Sequence, residues 1–127
     1  MRVFLYFVHL CTLIGCTSST PDDLHGSWHL ASINDTPLTV AVSIELEFDD
    51  KEQVSGSLGC NAMTGNVRFS KATIQLSNII ASTKGCENDL MSQEEQYHTA
   101  LQEVNIWKIE NQTLMLSGNS SKLTYTR

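Results

Sequence analysis

Between Ser27 and Arg127 the chain keeps one apolar periodicity for only a few residues at a time, with a single exception. SIELEFD (43–49) sets Ile44, Leu46 and Phe48 against Ser43, Glu45, Glu47 and Asp49, the alternation of a strand with one wet face. SWHLASI (27–33) puts Trp28 and Leu30 on one side, and QVSGSLG does the same with Val54 and Leu58. The glycine between those two, Gly56, marks a bulge or a close backbone approach. NVRFS, TIQLS, IIAST (79–83), NIWKIE (105–110), TLMLSG (113–118) and KLTYTR (122–127) read as further short strands, with NDTP, DDKE, ENQ and GNSS as turns between strands. The exception is NDLMSQEEQYHTALQEV (88–104), where Leu90, Tyr97, Leu101 and Val104 make one helical stripe with Ala100 beside it. Asp89 or Ser92 is expected to cap this helix, Ser92 forming a capping box with Glu95. Evenly spaced short strands with one helix predict a single compact α+β domain. Its antiparallel sheet curls into a half-open or closed barrel that the helix plugs or covers.

The first residues bear on compartment. Arg2 is the only Lys, Arg, Asp or Glu before Asp22, and the apolar run from Val3 to Ile14 falls short of the about 20 residues that span a bilayer. A positive start, a short apolar stretch and small residues after it have the form of a secretory signal. Leu13, Ile14, Gly15 and Cys16 resemble the lipobox of bacterial lipoproteins. That resemblance implies cleavage before Cys16, a diacylglyceryl group on its sulfur and an amide-linked third chain, enough lipid for stable attachment. Thr17 stands where inner-membrane lipoproteins often carry Asp, so the expected location is the outer membrane, facing the periplasm. Residues 1–15 are thus expected to be a signal peptide, 16–23 a lipidated tether, and 24–127 the folded domain.

Removing residues 1–15 from the 127 leaves 112 and takes away Arg2 but no acid, so a net charge of −6 becomes −7. An acidic domain without a Lys/Arg cluster is a poor partner for nucleic acid or anionic headgroups. Of the four cysteines, Cys11 leaves with the signal and Cys16 carries lipid. Cys60 and Cys86 remain, in a compartment that oxidises thiols. A disulfide between them is the favoured reading, over a redox pair or half of a metal site, since neither lies in a C-x-x-C spacing.

The segments GSWHLASIND (26–35), VSGSLGCNAMTGN (54–66), ASTKGC (81–86) and MSQEEQYHTAL (91–101) together resemble the META domain, also called the HslJ-type domain, of bacterial envelope proteins. The resemblance covers nearly all of the expected mature chain. It implies a compact, mostly antiparallel α+β domain, common on secreted or lipid-anchored proteins and associated with envelope stress and heat shock, with no enzymatic reaction generally assigned. Cys60 and Cys86 match the family's two cysteine positions, and Gly59, Asn61, Thr83 and Glu94 match as well. Val67 departs where the family often has an aromatic residue after the glycine, and Lys84-Gly85 where it often has Met-Ala before the second cysteine.

The glycine-rich corner around Cys60 is not a phosphate cradle. The span from Gly59 to Gly65 is too long, has no lysine and sits between strands. Its glycines and Asn61 suit a bulged or left-handed corner, with Cys60 as a clamp to the segment that enters the helix. Glu94 falls within the apolar stripe, where an unpaired carboxylate is costly. Its expected role is to accept backbone N–H bonds, from the STKGC segment, rather than to act as a general acid or base. His25 and His29, four apart, would share one face of a strand, but no third metal ligand is in view, so they and His98 are expected at the surface or at edges. No nucleophile motif occurs. The expectation is therefore a monomeric, non-catalytic, lipid-anchored envelope protein without cofactor or metal, held to the membrane through Cys16 and binding an envelope protein or a small ligand. The alternatives are a small-ligand carrier, a peptide- or protease-binding module using a strand edge, or an enzyme using Glu94 or a free thiol.

Overall fold

The computed structural model describes residues 19–127. The expected signal peptide, Cys11 and Cys16, the expected lipidation site, lie outside them. A single 3-10 turn, Asp22–Leu24, leads into nine strands and one helix. The strands are β1 (Gly26–Ile33), β2 (Thr36–Pro37), β3 (Glu45–Phe48), β4 (Gln53–Ser57), β5 (Ala62–Ser70), β6 (Thr73–Ala81), β7 (Ile106–Glu110), β8 (Thr113–Ser117) and β9 (Lys122–Thr126). The helix α1 (Asn88–Glu103) sits between β6 and β7. All pairings are antiparallel, and β1 also pairs with β9. With the two-residue β2 set aside as an extension of β1, the other eight strands close into a barrel. The domain is a single compact α+β unit, and the expected curled sheet is fully closed.

Alternation produces the core. Trp28 and Leu30 of β1, Leu46 and Phe48 of β3, Val54 of β4, Met63, Val67 and Phe69 of β5, Leu114 and Leu116 of β8, and Leu123 and Tyr125 of β9 are all buried in one cluster. Strict alternation from Leu30 would bring Ser32 inside. A register shift between Leu30 and Ser32 opposite β9 places Ile33 there instead. Edge-to-face contacts link Phe48 to Phe69 at 5.5 Å and Phe69 to Trp107 at 5.9 Å, joining the wall at β3 to the wall at β7.

TIQLS and IIAST are one strand, not two. β6 runs unbroken from Thr73 to Ala81 because it absorbs an extra residue, and it leaves Ser82 and Thr83 outside. Between Thr64↔Ile80 and Asn66↔Ser77 two β6 residues face one β5 residue, and Asn78 takes a positive φ of 52°. The bulge resets which residues face inward, so the joined strand shows no continuous alternation.

The seam of the barrel lies between β6 and β7, which pair only at Thr73↔Ile106. The Ile74 N–H donates to the Asn105 carbonyl at 3.1 Å, and the Trp107 N–H to the Ala72 carbonyl at 3.0 Å. α1 lies at this seam and sends Tyr97, Ala100 and Leu101 into the core. Neither Asp89 nor Ser92 caps α1. The N-cap position is Glu87, with no side-chain cap bond, and Asp89 falls in the first turn. The reason is covalent: Cys86, one residue earlier, is tied to Cys60, so the helix starts where the bridge leaves the chain rather than where a capping side chain stands.

The two ends of the barrel sequence meet. The Arg127 guanidinium lies 4.0 Å over the Trp28 ring and donates to the carbonyls of Asp23 and His25, each at 2.9 Å.

Candidate functional site

Two polar side chains enter the apolar stripe of α1 side by side, Gln93 and Glu94, and both are buried. Each holds a different loop. Gln93 Oε1 accepts from the Thr39 N–H (2.8 Å), the Val40 N–H (3.0 Å) and the Thr39 hydroxyl (3.1 Å). Its Nε2 donates to the Val40 carbonyl at 3.4 Å. Glu94 Oε2 accepts from the N–H groups of Cys60 and Asn61, each at 2.8 Å, and Oε1 accepts from the Asn61 side-chain amide. The expected donors from STKGC are therefore replaced by the corner at 60–61. Glu94 lies next to the bridge, but on the Cys60 side of it.

Asn61 is buried at 3% exposure, which fixes its part in the corner. Its Oδ1 accepts from the Lys84 N–H (2.6 Å) and the Ser82 hydroxyl (3.0 Å), and its Nδ2 donates to the Lys84 carbonyl (3.3 Å) as well as to Glu94. The left-handed conformation expected there belongs to Gly59 alone, with φ of 123°; Asn61 is not among the positive-φ residues. Asn61 is needed for its amide, which has a donor side and an acceptor side. Gly56 makes the close approach read from the sequence: a Cβ there would fall on the Glu45 carbonyl of the neighbouring strand.

Cys60 and Cys86 form a disulfide with a Cα–Cα distance of 6.2 Å. It joins the corner to the strap of residues 82–87, which runs along the surface into α1. Thr83 lies exposed on that strap. The corner, the strap and the helix are thus held at one node by a covalent bond, a buried amide and a buried carboxylate.

Within the barrel the hydroxyls of Tyr97 and Tyr125 meet at 2.9 Å. Burial pushes both phenols well above the usual tyrosine range. The bond to Tyr125 offsets part of that rise at Tyr97, while at Tyr125 the neighbouring Tyr97 adds to it. Tyr97 was legible from the helical stripe. Tyr125 was not singled out, although KLTYTR alternates Leu123 with it.

The histidines do not converge. His29 is exposed on β1 opposite Glu45, His25 precedes that strand, and His98 is half-buried on α1. Among the described residues no group of three or more His, Cys, Asp or Glu side chains comes together to hold a metal. A groove of about 970 Å³ opens at the β6–β7 seam. Phe69, Ile74, Leu76 and Val104 give it an apolar floor, flanked by Arg68 on β5 and Glu103 on the helix. From Gln75 to Ala81 the β6 edge that faces this seam has no strand partner among the described residues. Ile106 at the seam and Ile80 further along β6 are large apolar residues left exposed.

Three solved structures share this architecture. A protein from Burkholderia xenovorans determined by NMR superposes with a TM-score of 0.70 at 19% identity, covering 82% of this chain and 83% of that one. Another protein determined by NMR gives 0.66 at 23% identity, covering 81% and 89%. The crystal structure of a DUF4847 family protein from Bacteroides vulgatus gives 0.65 at 12% identity, covering 83% and 94%. Likeness at these identities shows the fold. No curated protein matches the chain by sequence. The META domain family model matches residues 22–127, from the 3-10 turn to the last strand. The chain therefore belongs to the META domain family.

Proposed function

We propose that this chain is a lipid-anchored protein of the cell envelope whose META domain works by binding, not catalysis, in maintaining the envelope under stress. The observation that carries the reading is the Cys60–Cys86 bridge, with Cys86 exposed to solvent. A surface disulfide is at home in an oxidising compartment. That agrees with the signal-like start and the LIGC motif ending at Cys16. The acyl chains on Cys16 attach the domain to the outer membrane on its periplasmic side, through the tether of residues 16–23. Measuring the intact mass of the protein extracted from cells tests this. The expected species begins at Cys16 and carries the mass of a diacylglyceryl group and an amide-linked acyl chain. An uncut, unacylated chain would sink the proposal.

The non-catalytic half of the reading is supported by how the buried polar groups are used. Both oxygens of Glu94 are committed to N–H donors of the corner, and Asn61 and Gln93 are committed in the same way. Binding is assigned to the seam, because the groove, the unpaired β6 edge and the exposed Ile106 coincide there. An open strand edge beside an apolar groove suits an extended segment of an envelope protein, which would add a strand and seat alternate side chains. The same floor of Phe69, Ile74, Leu76 and Val104 makes a small apolar ligand the second reading. A photo-crosslinking residue at position 106, placed in intact cells, separates them. Discrete protein adducts lost on Leu76→Pro support the strand reading, while adducts of low mass support the small ligand. A probe that captures neither, from a protein with an unaltered melting temperature, removes the seam as the binding site.

A further inference from the structure

The corner and the strap are fastened to one another twice, and the two fastenings hold different stretches of chain. The Asn61 side chain grips the strap at Ser82 and at both backbone groups of Lys84, and the Ser82 N–H donates to the Ala62 carbonyl at 3.0 Å. None of these bonds passes through sulfur. Beyond Lys84 the picture changes. Gly85 stands in open space, with nothing within 4 Å of where its Cβ would be. Every residue from Ser82 to Asp89 is exposed, Cys86 included. Among the described residues the disulfide ties this stretch down ahead of the half-buried Leu90, which lies beside Gly59, and of the first helical bond, from the Met91 N–H to the Glu87 carbonyl. The helix N-terminus has no side-chain cap to hold it in place. Cys60 itself stays fixed through its N–H on Glu94 whether or not its sulfur is bonded. Barrel closure, through β1 with β9, involves neither cysteine.

We propose that the Cys60–Cys86 bridge is a thiol–disulfide exchange site, opened by an external dithiol while the barrel stays folded, and that opening releases residues 85–91. A thiolate of the reductant attacks the exposed Cys86 sulfur and forms a mixed disulfide. The Cys60 sulfur leaves with the bonding pair and takes up a proton. The second thiol of the reductant then closes on the first, expelling the Cys86 sulfur, which is protonated in turn. Two electrons pass from the dithiol to the protein, and the reductant leaves as a disulfide. The reduced state keeps the corner on Glu94 and Asn61, and loses order in the loose end of the strap and in the first turn of α1.

The test is to treat the purified full chain with dithiothreitol without denaturant. Alkylation is mapped at Cys60 and Cys86, and amide hydrogen exchange is followed by peptide. The expected result is alkylation of both sulfurs, with exchange in residues 85–91 faster by roughly tenfold or more while β1, β8 and β9 remain the most protected segments of the chain. The Cys60→Ser/Cys86→Ser double variant is expected to reproduce the reduced pattern. Resistance of the bridge to reduction until denaturant is added would overturn the proposal. So would reduction with loss of protection throughout the barrel, reduction with no change in residues 85–91, or a double variant that cannot fold.

Discussion

A buried carboxylate is expensive unless every lone pair is used, and Glu94 uses its own on the two N–H groups and the amide that shape the corner. Glu94→Ala strands those donors, and is expected to lower stability by about 2–4 kcal/mol in urea or thermal melts. Glu94→Gln keeps an oxygen for the backbone donors and is expected to fall between the two. The tyrosine pair makes stability depend on pH. The folded state holds both phenolic protons above the point where an unfolded tyrosine releases them, near pH 10. Above that point the unfolded chain binds fewer protons than the native one, so stability is complete below about pH 10 and declines as pH rises further. The expected slope is up to ~1.4 kcal/mol per pH unit for each phenol. Denaturant titrations from pH 8 upward would show it, and Tyr97→Phe should reduce it to the share of Tyr125 alone. How much of the node the sequence revealed depends on distance along the chain. A carboxylate inside a helical apolar stripe announces that it needs donors. Which donors it finds, 33 and 34 residues earlier, is set by how the barrel brings the corner to the helix, and no local pattern encodes that. Gln93 carries the same signal, three residues after Leu90 and four before Tyr97, but an uncharged amide is equally at home on an exposed helix face, so the pattern alone does not place it inside.

Turns and strands were the most legible elements, since a strand needs only its neighbours to declare its two faces. The β1–β2 turn at Asn34-Asp35 and the β7–β8 turn at Asn111-Gln112 both take positive φ at two successive residues, the geometry that matches strand twist in a tight hairpin. Asn tolerates that region and Gln does so poorly. Gln112→Gly is therefore expected to stabilise the domain by about 0.5–1 kcal/mol, read as a rise of a few degrees in melting temperature. A fall would mean that the Gln112 side chain makes a contact worth more than the relieved backbone. Continuity across a bulge was the part hidden in the sequence. β6 looked like two strands because Asn78 breaks the alternation, and only the register opposite β5 shows the chain continuing. The helix cap was misplaced for a related reason. Ser92 and Glu95 fit a capping pattern, but a covalent bond one residue before Glu87 outranks a cap of about 1 kcal/mol in fixing where a helix begins.

The domain is a barrel joined weakly at one seam, with the helix at that seam fastened near both of its ends. At β6–β7 the ladder is a single pair, and α1 supplies the packing that the missing ladder would have given. The node at Cys60, Asn61 and Glu94 fastens one end of that helix, and Glu103, which accepts from the hydroxyls of Ser120 and Ser121, fastens the other to the β8–β9 turn. Loss of the bridge opens a loop spanning 26 residues, which in the chain-entropy model costs roughly 3 kcal/mol. For a domain of ordinary stability, about 5–15 kcal/mol, that lowers the melting temperature of the double serine variant without abolishing its folding. The fold class was readable because strand spacing and one amphipathic stretch limit the layouts a chain of this size can adopt. Full closure was not readable, because it rests on β1 pairing with β9 across almost the whole sequence. The clasp of Arg127 on Trp28, Asp23 and His25 carries that closure to its end, leaving the entry to β1 and the exit from β9 as spatial neighbours. A circular permutant, with a short glycine linker bridging this junction and fresh termini cut into the Asn111-Gln112 hairpin, should consequently rebuild the same body from a reordered gene.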